Sequence, residues 1–465
     1  MFGWEEACEI VGGNLTGPPA SAPFDSVSID TRHLVPGALF ACFRGHLADG
    51  HSFATQAVER GATGILAEND GALNPGLDVP VIRVENVLLA LGKLAKAWRH
   101  KLDMRVIAIT GSSGKTSTKE MIAAYLGKFA KVVKTEGNHN NELGVPLSLL
   151  SFRREHRFGI IEMGMRGSGE IAYLTELAEP DVGVITNIGT AHIERLGSQE
   201  AIMAAKAELW TTMPEQSIAI VPLDDPFASQ AAAGRAGTAV TWSLNDPAAT
   251  VWASDVQSSA RGGQVFTVYW KGEGEKPFGR SEVKLPFWGE HHRSNALAAL
   301  AVGWALGLLP DARLELTPDL LPGRSRQMDW NGISILDDSY NANPESMRAA
   351  LSAFCETRQS GRKFAALGAM AELGSLSRAA HQEIGQLAEA LGLDGLILVG
   401  EGAKAYAAHG PTQFPVVFCH DAQEAAAYIS RHLRPGDRLL LKASRSVGIE
   451  KLIDALPRSD QGGWQ

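Results

Sequence analysis

The residues with the clearest chemical potential lie between a run of branched apolar residues and a helical pattern. Residues 106–110 are typical of a buried strand, and a helical pattern continues through 121–126. A glycine-rich turn followed by lysine and threonine joins the two, as in a phosphate-binding loop. Its glycines let backbone N–H groups close around phosphate oxygens, and the helix N-terminus adds a favourable dipole. The predicted ATP-binding residues of the loop are Gly111, Ser112, Ser113, Gly114, Lys115, Thr116 and Ser117.

Two side chains of this loop would contact the phosphates and the metal ion of a bound nucleotide. Lys115 would neutralise the β- and γ-phosphates, and the Thr116 hydroxyl would ligate Mg²⁺. The general pattern G-x-x-x-x-G-K-S/T has a glycine where this chain has Ile109, so the loop is the shorter form T-G-S-S-G-K-T. A Gly-Ser turn before an amphipathic helix would have a similar composition. The coincidence of strand, lysine and threonine favours nucleotide binding.

Three further residues could act on a metal–nucleotide complex. Glu162 ends the apolar run 158–161, and a buried carboxylate there requires a metal or an ion-pair partner. His192 follows the next apolar run, on the ligand-binding edge expected of a parallel sheet. Lys206 lies in a helical pattern, where a lysine is ordinarily solvated. At Glu162 the position favours magnesium ligation over a structural salt bridge, whereas a histidine at position 192 would by itself more often be a structural residue.

The elements that position these residues alternate between strand and helix patterns in three segments. Residues 1–101 form a small α/β unit that includes strand-like runs at 25–32, 39–43, 62–67 and 79–84. Residues 102–322 have the β-α-β-α order of a mostly parallel sheet, with alternation at 250–253 and 265–270 indicating an antiparallel addition. Residues 323–465 predict a second, Rossmann-like doubly wound sheet. We therefore predict a three-domain α/β protein with a hinge at Pro322-Gly323.

Composition narrows the class of protein. The chain has 465 residues, 45% of them hydrophobic and 20% charged, which is typical of a soluble globular protein of several domains. A formal net charge of −9 argues against nucleic acid as the main partner. No apolar run reaches the length of a membrane span, and no signal peptide pattern is present. Four widely spaced cysteines without a C-x-x-C pattern favour a reducing cytoplasm.

An ordered set of short motifs resembles the Mur ligases, the ATP-dependent amide-forming ligases of peptidoglycan precursor synthesis. The motifs are T-G-S-S-G-K-T (110–116), G-N-H-N-N-E-L-G-V-P-L (137–147), E-M-G-M (162–165), T-N-I-G-T-A-H-I-E (186–194), K-A-E (206–208), G-E-H-H-R-S-N-A-L-A-A (289–299), P-G-R-S-R (322–326), D-D-S-Y-N-A-N-P-E-S-M (337–347), A-E-L-G (371–374) and K-A-S-R (442–445). They extend over nearly the whole chain. The second and eighth motifs favour the dipeptide-adding branch of the family.

The resemblance implies roles for individual residues. It implies that Lys115, His192 and Lys206 are catalytic, and that Thr116 and Glu162 hold a first Mg²⁺. A second Mg²⁺ would be served by His192 and by Lys206 carried as a carbamate. The remaining implied contacts are Asn295, Arg326 and Asp338 with ATP, Thr31, Arg32, Arg44 and Gly45 near the uridine nucleotide, and Asn138, Asn141, Asn341 and Asn343 with the other substrate groups. From spacing alone, Arg32 and Arg44 are as consistent with surface solvation as with ligand binding.

The resemblance also implies the substrates and the reaction. The substrates would be UDP-N-acetylmuramoyl-tripeptide, whose third residue is lysine or diaminopimelate, and D-Ala-D-Ala. A carboxylate cannot expel oxide, so ATP would first convert the tripeptide carboxylate to an acyl phosphate. The amine would then displace phosphate. A cytoplasmic monomer working in cell-wall synthesis is the corresponding expectation.

Three positions depart from the usual motifs. The chain has Ala369 where L-G-D-M has an acidic residue, Ala443 where K-G-S-R has glycine, and His292 where asparagine is common. These departures concern substrate contacts rather than the reaction type.

Three other functions remain open from the sequence. A sister ligase could add a single amino acid, but the third domain lacks the D-N-P-R stretch of the diamino-acid-adding branch. A folate-type ligase could add glutamate, but the N-terminal D-T-R, P-G and D-G-H stretches resemble those of the nucleotide-peptide ligases. An inactive ATP-binding regulatory or scaffold protein would be favoured if Lys115, Glu162, His192 or Lys206 were missing. All four are present.

Overall fold

A computed structural model describes residues 1–19, 22–45, 48–258, 263–272, 278–319, 321–356, 361–408, 410 and 412–457. Within these ranges the chain forms three β-sheets flanked by helices, which confirms the predicted three-part α/β fold class. The domain boundaries at 101/102 and 322/323 remain predictions, and residues 458–465 of the predicted third domain lie outside the described residues.

The first sheet has five described strands in the order β1-β5-β4-β3-β2, and only the β1–β5 pair is antiparallel. Its elements are α1 (Trp4–Val11), β1 (Asn14–Thr16), β2 (Ser26–Ser28), β3 (Ala38–Ala41), α2 (Ala54–Glu59), β4 (Gly64–Glu68), β5 (Val81–Val84) and α3 (Val87–His100). The strand predicted over 25–32 is correct only for β2. Asp30 accepts the Arg32 backbone N–H through its side chain and starts a 3₁₀ turn at Thr31–His33 instead.

The central sheet has ten described strands in the order β15-β14-β13-β12-β11-β10-β9-β6-β8-β7. Its elements from β6 to β11 are β6 (Arg105–Thr110), α4 (Lys115–Leu126), β7 (Val132–Lys134), α5 (Gly144–Ser151), β8 (Phe158–Glu162), α6 (Glu170–Ala178), β9 (Val182–Ile185), α7 (Ile193–Leu196), α8 (Gln199–Thr212), β10 (Ile218–Pro222), α9 (Pro226–Ala233) and β11 (Ala239–Ser243). The remainder are β12 (Val251–Ser258), β13 (Gln264–Trp270), β14 (Gly279–Leu285), α10 (Glu290–Ala305) and β15 (Arg313–Glu315). Strands β12, β13 and β14 pair antiparallel, which confirms the predicted addition.

Strand β6 shows why this sheet is buried on both faces. Val106 and Ala108 pack into one apolar core, while Ile107 and Ile109 pack into the core on the opposite face. This alternation follows from the two-residue period of a strand, and a strand covered on both sides has a continuous apolar sequence. The phosphate loop therefore starts from a rigid base at the carboxyl end of β6.

The third sheet has six described strands in the order β16-β17-β21-β18-β19-β20, parallel except for β16. Its elements are β16 (Arg326–Trp330), β17 (Ile333–Asp337), α11 (Pro344–Glu356), β18 (Lys363–Gly368), α12 (Ser377–Ala390), β19 (Gly395–Val399), β20 (Val416–Cys419), α13 (Ala422–His432), β21 (Arg438–Lys442) and α14 (Lys451–Ala455). In the described part of the chain, no helix is both long enough and apolar enough to span a bilayer.

Candidate active site

The phosphate loop adopts a shape that requires glycine at two positions. Gly111 has φ 149° and Gly114 has φ 78°, backbone conformations that L side chains rarely adopt. A Cβ on Gly111 would lie 1.9 Å from Thr186 Oγ1, and one on Gly114 would lie 2.9 Å from Asn295 Oδ1. The loop is thus tightly packed against the ends of β9 and α10, and no side chain protrudes there into the phosphate position.

Side chains that follow β9 hold the two serines of the loop. The Ser113 backbone N–H donates to Asn187 Oδ1 at 3.0 Å, and Thr186 Oγ1 donates to the Ser113 carbonyl at 2.6 Å. Ser112 Oγ accepts the Gly189 backbone N–H at 2.9 Å. These bonds satisfy the loop's own polar groups and leave its shape defined by the neighbouring strand.

Lys115 begins α4 and its ammonium folds back over the loop. Its Nζ donates to the Gly111 carbonyl at 2.5 Å. Burial lowers the pKa of Lys115, and the nearby Glu162 carboxylate acts in the opposite direction. A phosphate bound in the loop would replace part of the lost hydration of this cation.

Thr116 and Glu162 lie side by side, as predicted for a magnesium site. Thr116 Oγ1 donates to Glu162 Oε2 at 2.9 Å, and Asn140 Nδ2 donates to Glu162 Oε1 at 2.9 Å. Lys119, which is fully buried, places its Nζ 3.5 Å from Glu162 Oε2 and donates to the Thr135 carbonyl at 2.9 Å. The ion pair of Glu162 with Lys119 is present in the structure, and magnesium ligation by Glu162 and Thr116 remains a prediction.

His192 lies at the boundary between the central and third sheets. Its backbone is left-handed, with φ 69°, and its Nδ1 lies 2.6 Å from Glu372 Oε2 in the loop after β18. Burial, followed by the charge of Lys115, lowers the pKa of His192 although Glu372 opposes the shift. The neutral ring is the form that can ligate a metal.

Lys206 is buried within α8 rather than solvated. It is 1% exposed, and burial, reinforced by Lys115, takes its pKa well below the ordinary value. No carboxylate or hydrogen bond among the described residues offsets this burial. A neutral amine is the form that reacts with CO₂, so the environment fits the predicted carbamate.

A cleft of about 460 Å³ collects most of the predicted residues. Its lining combines the phosphate loop with segments of the third sheet. The predicted residues in the lining are Ser112, Ser113, Gly114, Lys115, Thr116, Ser117, Asn138, Asn141, Glu162, His192, Asn295, Asp338, Asn341 and Asn343. The central and third domains thus contribute to one site.

Several predicted residues do not line this cleft. Arg326 is exposed at the start of β16, whereas Arg324, two residues earlier in the same motif, does line the cleft. The geometry therefore favours Arg324 over Arg326 as the ATP-contacting residue. Gly111 and Lys206 lie beside the cleft without lining it.

The predicted uridine-side residues lie apart from the cleft, on the first sheet. Arg32 bonds to Asp30, and Arg44 contacts Asp70 at 2.9 Å and Glu68 at 3.1 Å. Thr31 is buried and donates to Gln56 Oε1, and the Gly45 N–H donates to the Ala48 carbonyl. Each of these groups is satisfied within the protein, so their substrate role remains a prediction.

Other cleft residues had no separate signal in the sequence. Arg324 packs its guanidinium over the Tyr340 ring at 4.0 Å, and Lys442 pairs with Asp338 at 2.5 Å. Asn140 and Glu372 complete the surroundings of Glu162 and His192. These four residues, Arg324, Lys442, Asn140 and Glu372, all lie inside the motifs given above. Only the fold shows which partner each of them contacts.

The donor set fits magnesium in part. Thr116 and Glu162 supply the oxygen ligands that Mg²⁺ prefers, and this ion commonly completes its shell with water and substrate phosphates. No group of three or more His, Cys, Asp or Glu side chains suited to a metal occurs among the described residues. The protein would therefore bind Mg²⁺ together with the nucleotide rather than in a cage of its own.

Three domain models of the Mur ligase family match successive parts of the chain. The Mur ligase family catalytic domain matches residues 23–99, the Mur ligase middle domain matches residues 109–303, and the Mur ligase glutamate ligase domain matches residues 323–445.

Individual relatives match over almost the whole length. The chain is 38% identical to the UDP-N-acetylmuramoyl-tripeptide--D-alanyl-D-alanine ligase of Synechocystis sp., covering 97% of this chain and 95% of the relative. It is 36% identical to the ligase of the same name from Bacillus subtilis, covering 97% of both. Among solved structures, MurF from Acinetobacter baumannii superimposes with TM-score 0.85 at 30% identity over 98% of both chains. MurF ligase from Thermotoga maritima in complex with ADP gives TM-score 0.80 at 29% identity, covering 94% of this chain and 98% of that chain.

Proposed function

The chain belongs to the Mur ligase family, and on that premise we propose that it joins D-alanyl-D-alanine to UDP-N-acetylmuramoyl-tripeptide with consumption of ATP. The observation that carries this proposal is the shared cleft. The phosphate loop and the loop 338–343 of the third domain line the same space, so an activated carboxylate and an incoming amine can meet there.

The reaction begins with activation of a carboxylate. The γ-phosphoryl group of ATP passes to the terminal carboxylate of the tripeptide, giving an acyl phosphate and ADP. Two anions must approach each other in this step, so positive charge must be concentrated at the loop. Lys115 and Arg324 supply fixed cations on opposite sides of the cleft, and Mg²⁺, when bound, supplies further charge neutralisation.

Amide formation then consumes the acyl phosphate. The neutral amine of D-Ala-D-Ala attacks the carbonyl carbon, its proton is released, and the tetrahedral intermediate expels phosphate. Asp338, Asn341 and Asn343 lie on the third-domain side, from which the amine approaches. Contact between the two domains limits the access of water to the acyl phosphate.

We propose that Mg²⁺ binds in two positions. Thr116 and Glu162 hold the first ion, and His192 with a carbamate on Lys206 supports the second. The observation behind the carbamate is a buried amine whose pKa is strongly lowered and which has no compensating partner among the described residues. A cationic Lys206 beside Lys115 would repel Mg²⁺, whereas a carbamate would attract it.

Chemical rescue tests the carbamate. Lys206→Ala is expected to be nearly inactive and to regain part of its activity in acetate or formate, which can occupy the vacated carboxylate position. Full activity of Lys206→Ala in bicarbonate-free buffer would contradict the proposal.

The sister-ligase and inactive-protein alternatives receive less support. The structure of UDP-N-acetylmuramoyl-L-alanyl-D-glutamate--2,6-diaminopimelate ligase matches with TM-score 0.51 at 18% identity, and FolC from E. coli with TM-score 0.57 at 17% identity. At these identities the likeness concerns the fold alone. Lys115, Glu162 and His192 line the cleft and Lys206 lies buried beside it, as an active enzyme requires.

Four free cysteines also support the proposed cytoplasmic location.

The choice of amine donor tests the proposed function directly. Purified protein receives ATP, Mg²⁺ and UDP-N-acetylmuramoyl-tripeptide with D-Ala-D-Ala, D-Ala, L-Lys, diaminopimelate or D-Glu, and phosphate release and product mass are recorded. D-Ala-D-Ala should be used far better, because a single residue leaves polar groups of a dipeptide site unpaired. A higher rate for a single amino acid on a shorter nucleotide peptide would move the assignment to a sister ligase.

A further inference from the structure

Two carboxylates of the third domain form hydrogen bonds with the loop that carries His192. Glu345, at the start of α11, accepts both the Thr190 backbone N–H at 2.8 Å and the Thr190 hydroxyl at 2.9 Å. Glu372, after β18, lies 2.6 Å from His192 Nδ1. The segment 190–192 belongs to the central domain, so these contacts connect it to the opposite side of the cleft.

The contact between Glu372 and His192 joins two strained residues. His192 has φ 69° and Glu372 has φ 61°, both in the left-handed region that residues other than glycine seldom adopt. Such conformations persist when surrounding contacts determine them, and they concentrate at functional sites. A second bond supports the pairing, because the Glu194 backbone N–H donates to the Glu372 carbonyl at 3.4 Å.

The chemistry of an imidazole between a carboxylate and a metal is specific. A carboxylate at Nδ1 favours the tautomer with the proton on Nδ1, so the lone pair is on Nε2. A histidine that ligates a metal commonly donates its other ring N–H to such a carboxylate, which orients the ring. Glu372 occupies that position relative to His192, but it comes from the other domain.

We infer that Glu372 is a positioning residue that orients His192 toward the second metal ion only when the third domain is docked. The inference rests on the proposed function for the second ion. It assigns a role to the A-E-L-G motif, whose glutamate has no contact with the phosphate loop among the described residues. Docking of the third domain and completion of the metal site become one event.

Binding of Mn²⁺, used as the probe for Mg²⁺, tests the positioning role. Manganese affinities are measured by electron paramagnetic resonance in the presence of ADP, for wild type, Glu372→Gln, Glu372→Ala and His192→Gln. In Glu372→Ala the second ion should bind about 10-fold or more weakly, while the first ion keeps its affinity. The affinity of Glu372→Gln for the second ion should lie between those of wild type and Glu372→Ala. An amide oxygen still accepts a hydrogen bond from the Nδ1–H group, but it carries no charge.

A double substitution separates this role from a general structural one. If Glu372 acts through His192, adding Glu372→Ala to His192→Gln should weaken the second ion no further. Glu383→Gln is the matched control, since Glu383 is an exposed third-domain carboxylate paired with Arg348 at 2.8 Å. Its manganese affinities should equal those of wild type.

The effect of the metal ion on docking of the third domain provides a second test. If docking assembles the metal site, the metal must favour docking by the same factor. Spin labels on the central and third domains should report a larger docked population with ADP and Mn²⁺ than with ADP alone in wild type, and no such increase in Glu372→Ala.

Three results would overturn the inference: one Mn²⁺ in wild type, a wild-type second affinity in Glu372→Ala, or equal weakening of both ions. None of these readouts depends on the amine donor. The proposed function could therefore fail in the donor panel while this inference stands, and the reverse also holds.

Discussion

Three lysines close to the phosphate loop differ in how their charge is compensated. Lys119 is fully buried but contacts Glu162, Glu120 and the Thr135 carbonyl. Lys115 bonds to a backbone carbonyl of the loop, and Lys206 has no compensating partner among the described residues. Because burial of a charge is costly without a partner, the three side chains are suited to different roles. Lys119 is placed to stabilise the fold, Lys115 is placed to contact phosphate, and the lowered pKa of Lys206 fits the proposed carbamate.

Replacement of Lys115 tests the phosphate contact. Lys115→Ala should lower kcat by about 100-fold or more, because its ammonium meets charge that develops on the transferred phosphoryl group. Lys128→Ala, an exposed lysine after the same helix, is the control. ADP release is measured together with circular dichroism. Near-normal turnover by a folded Lys115→Ala protein would contradict the assignment.

Replacement of Lys206 by methionine should raise stability while activity is lost. Because its pKa is lowered, the folded Lys206 releases its proton at a lower pH than the unfolded residue does. Stability of the wild type therefore rises with pH up to the ordinary lysine pKa, whereas methionine does not titrate. In CO₂-free buffer, Lys206→Met should be more stable at pH 7 by about 1 kcal/mol or more, with a smaller difference at pH 9.5.

Urea unfolding at the two pH values measures this difference. A wild type that is the more stable protein at pH 7, or a difference that does not change with pH, would show that the Lys206 amine is compensated in the folded state.

At the scale of elements, the loop between β6 and α4 depends on its neighbours for its shape. Ser112 and Ser113 bond to the segment after β9, and Gly114 lies against Asn295 of α10. The anion-binding end of α4 is thus supported by a strand and a helix that are distant in sequence. A change at a contact between elements should therefore affect nucleotide binding as well as folding.

Gly111→Ala tests this dependence. A methyl group at φ 149° is strained and would also collide with Thr186 Oγ1, so the free energy of unfolding should fall by about 1 to 3 kcal/mol. ATP affinity, measured by calorimetry, should fall as the loop shifts. Gly3→Ala is the control, because its Cβ would contact nothing within 4 Å. Unchanged ATP affinity in Gly111→Ala would mean that the loop tolerates displacement.

At the scale of the whole molecule, several hydrogen bonds join the central and third domains. They include Glu345 with Thr190, Glu372 with His192, and His292 Nε2 with Ser325 Oγ at 3.0 Å. Polar interfaces between domains generally permit relative motion. We therefore expect the substrates to enter an open form before docking encloses them.

Glu345→Ala tests how far such contacts hold the domains together. Loss of the two bonds to Thr190 should shift the free protein toward more open arrangements, seen as a larger radius of gyration in X-ray scattering. Glu383→Gln should leave the radius unchanged. The unfolding transition of the third domain should also stay unchanged, because Glu345 bonds outward from it. An unaltered radius in Glu345→Ala would show that other contacts dominate docking.

The sequence by itself determined the residue types that carry the chemistry and the elements that carry them. The strand–loop–helix pattern at 106–126, the carboxylate ending β8 and the histidine after β9 are local features, since strand period and turn composition act over a few residues. The fold class followed for the same reason. The strand over 25–32 was only partly predicted, because a side-chain cap at Asp30 competed with the alternation.

Which of these residues come into contact depends on the folded arrangement of the chain. Burial of Lys206, the choice between Arg324 and Arg326, and the pairing of His192 with Glu372 across 180 positions depend on packing between distant segments. A lysine in a helical pattern looks the same in sequence whether it faces water or a core. Its charge state is set by desolvation and by neighbouring charges, and these exist only once the chain has folded.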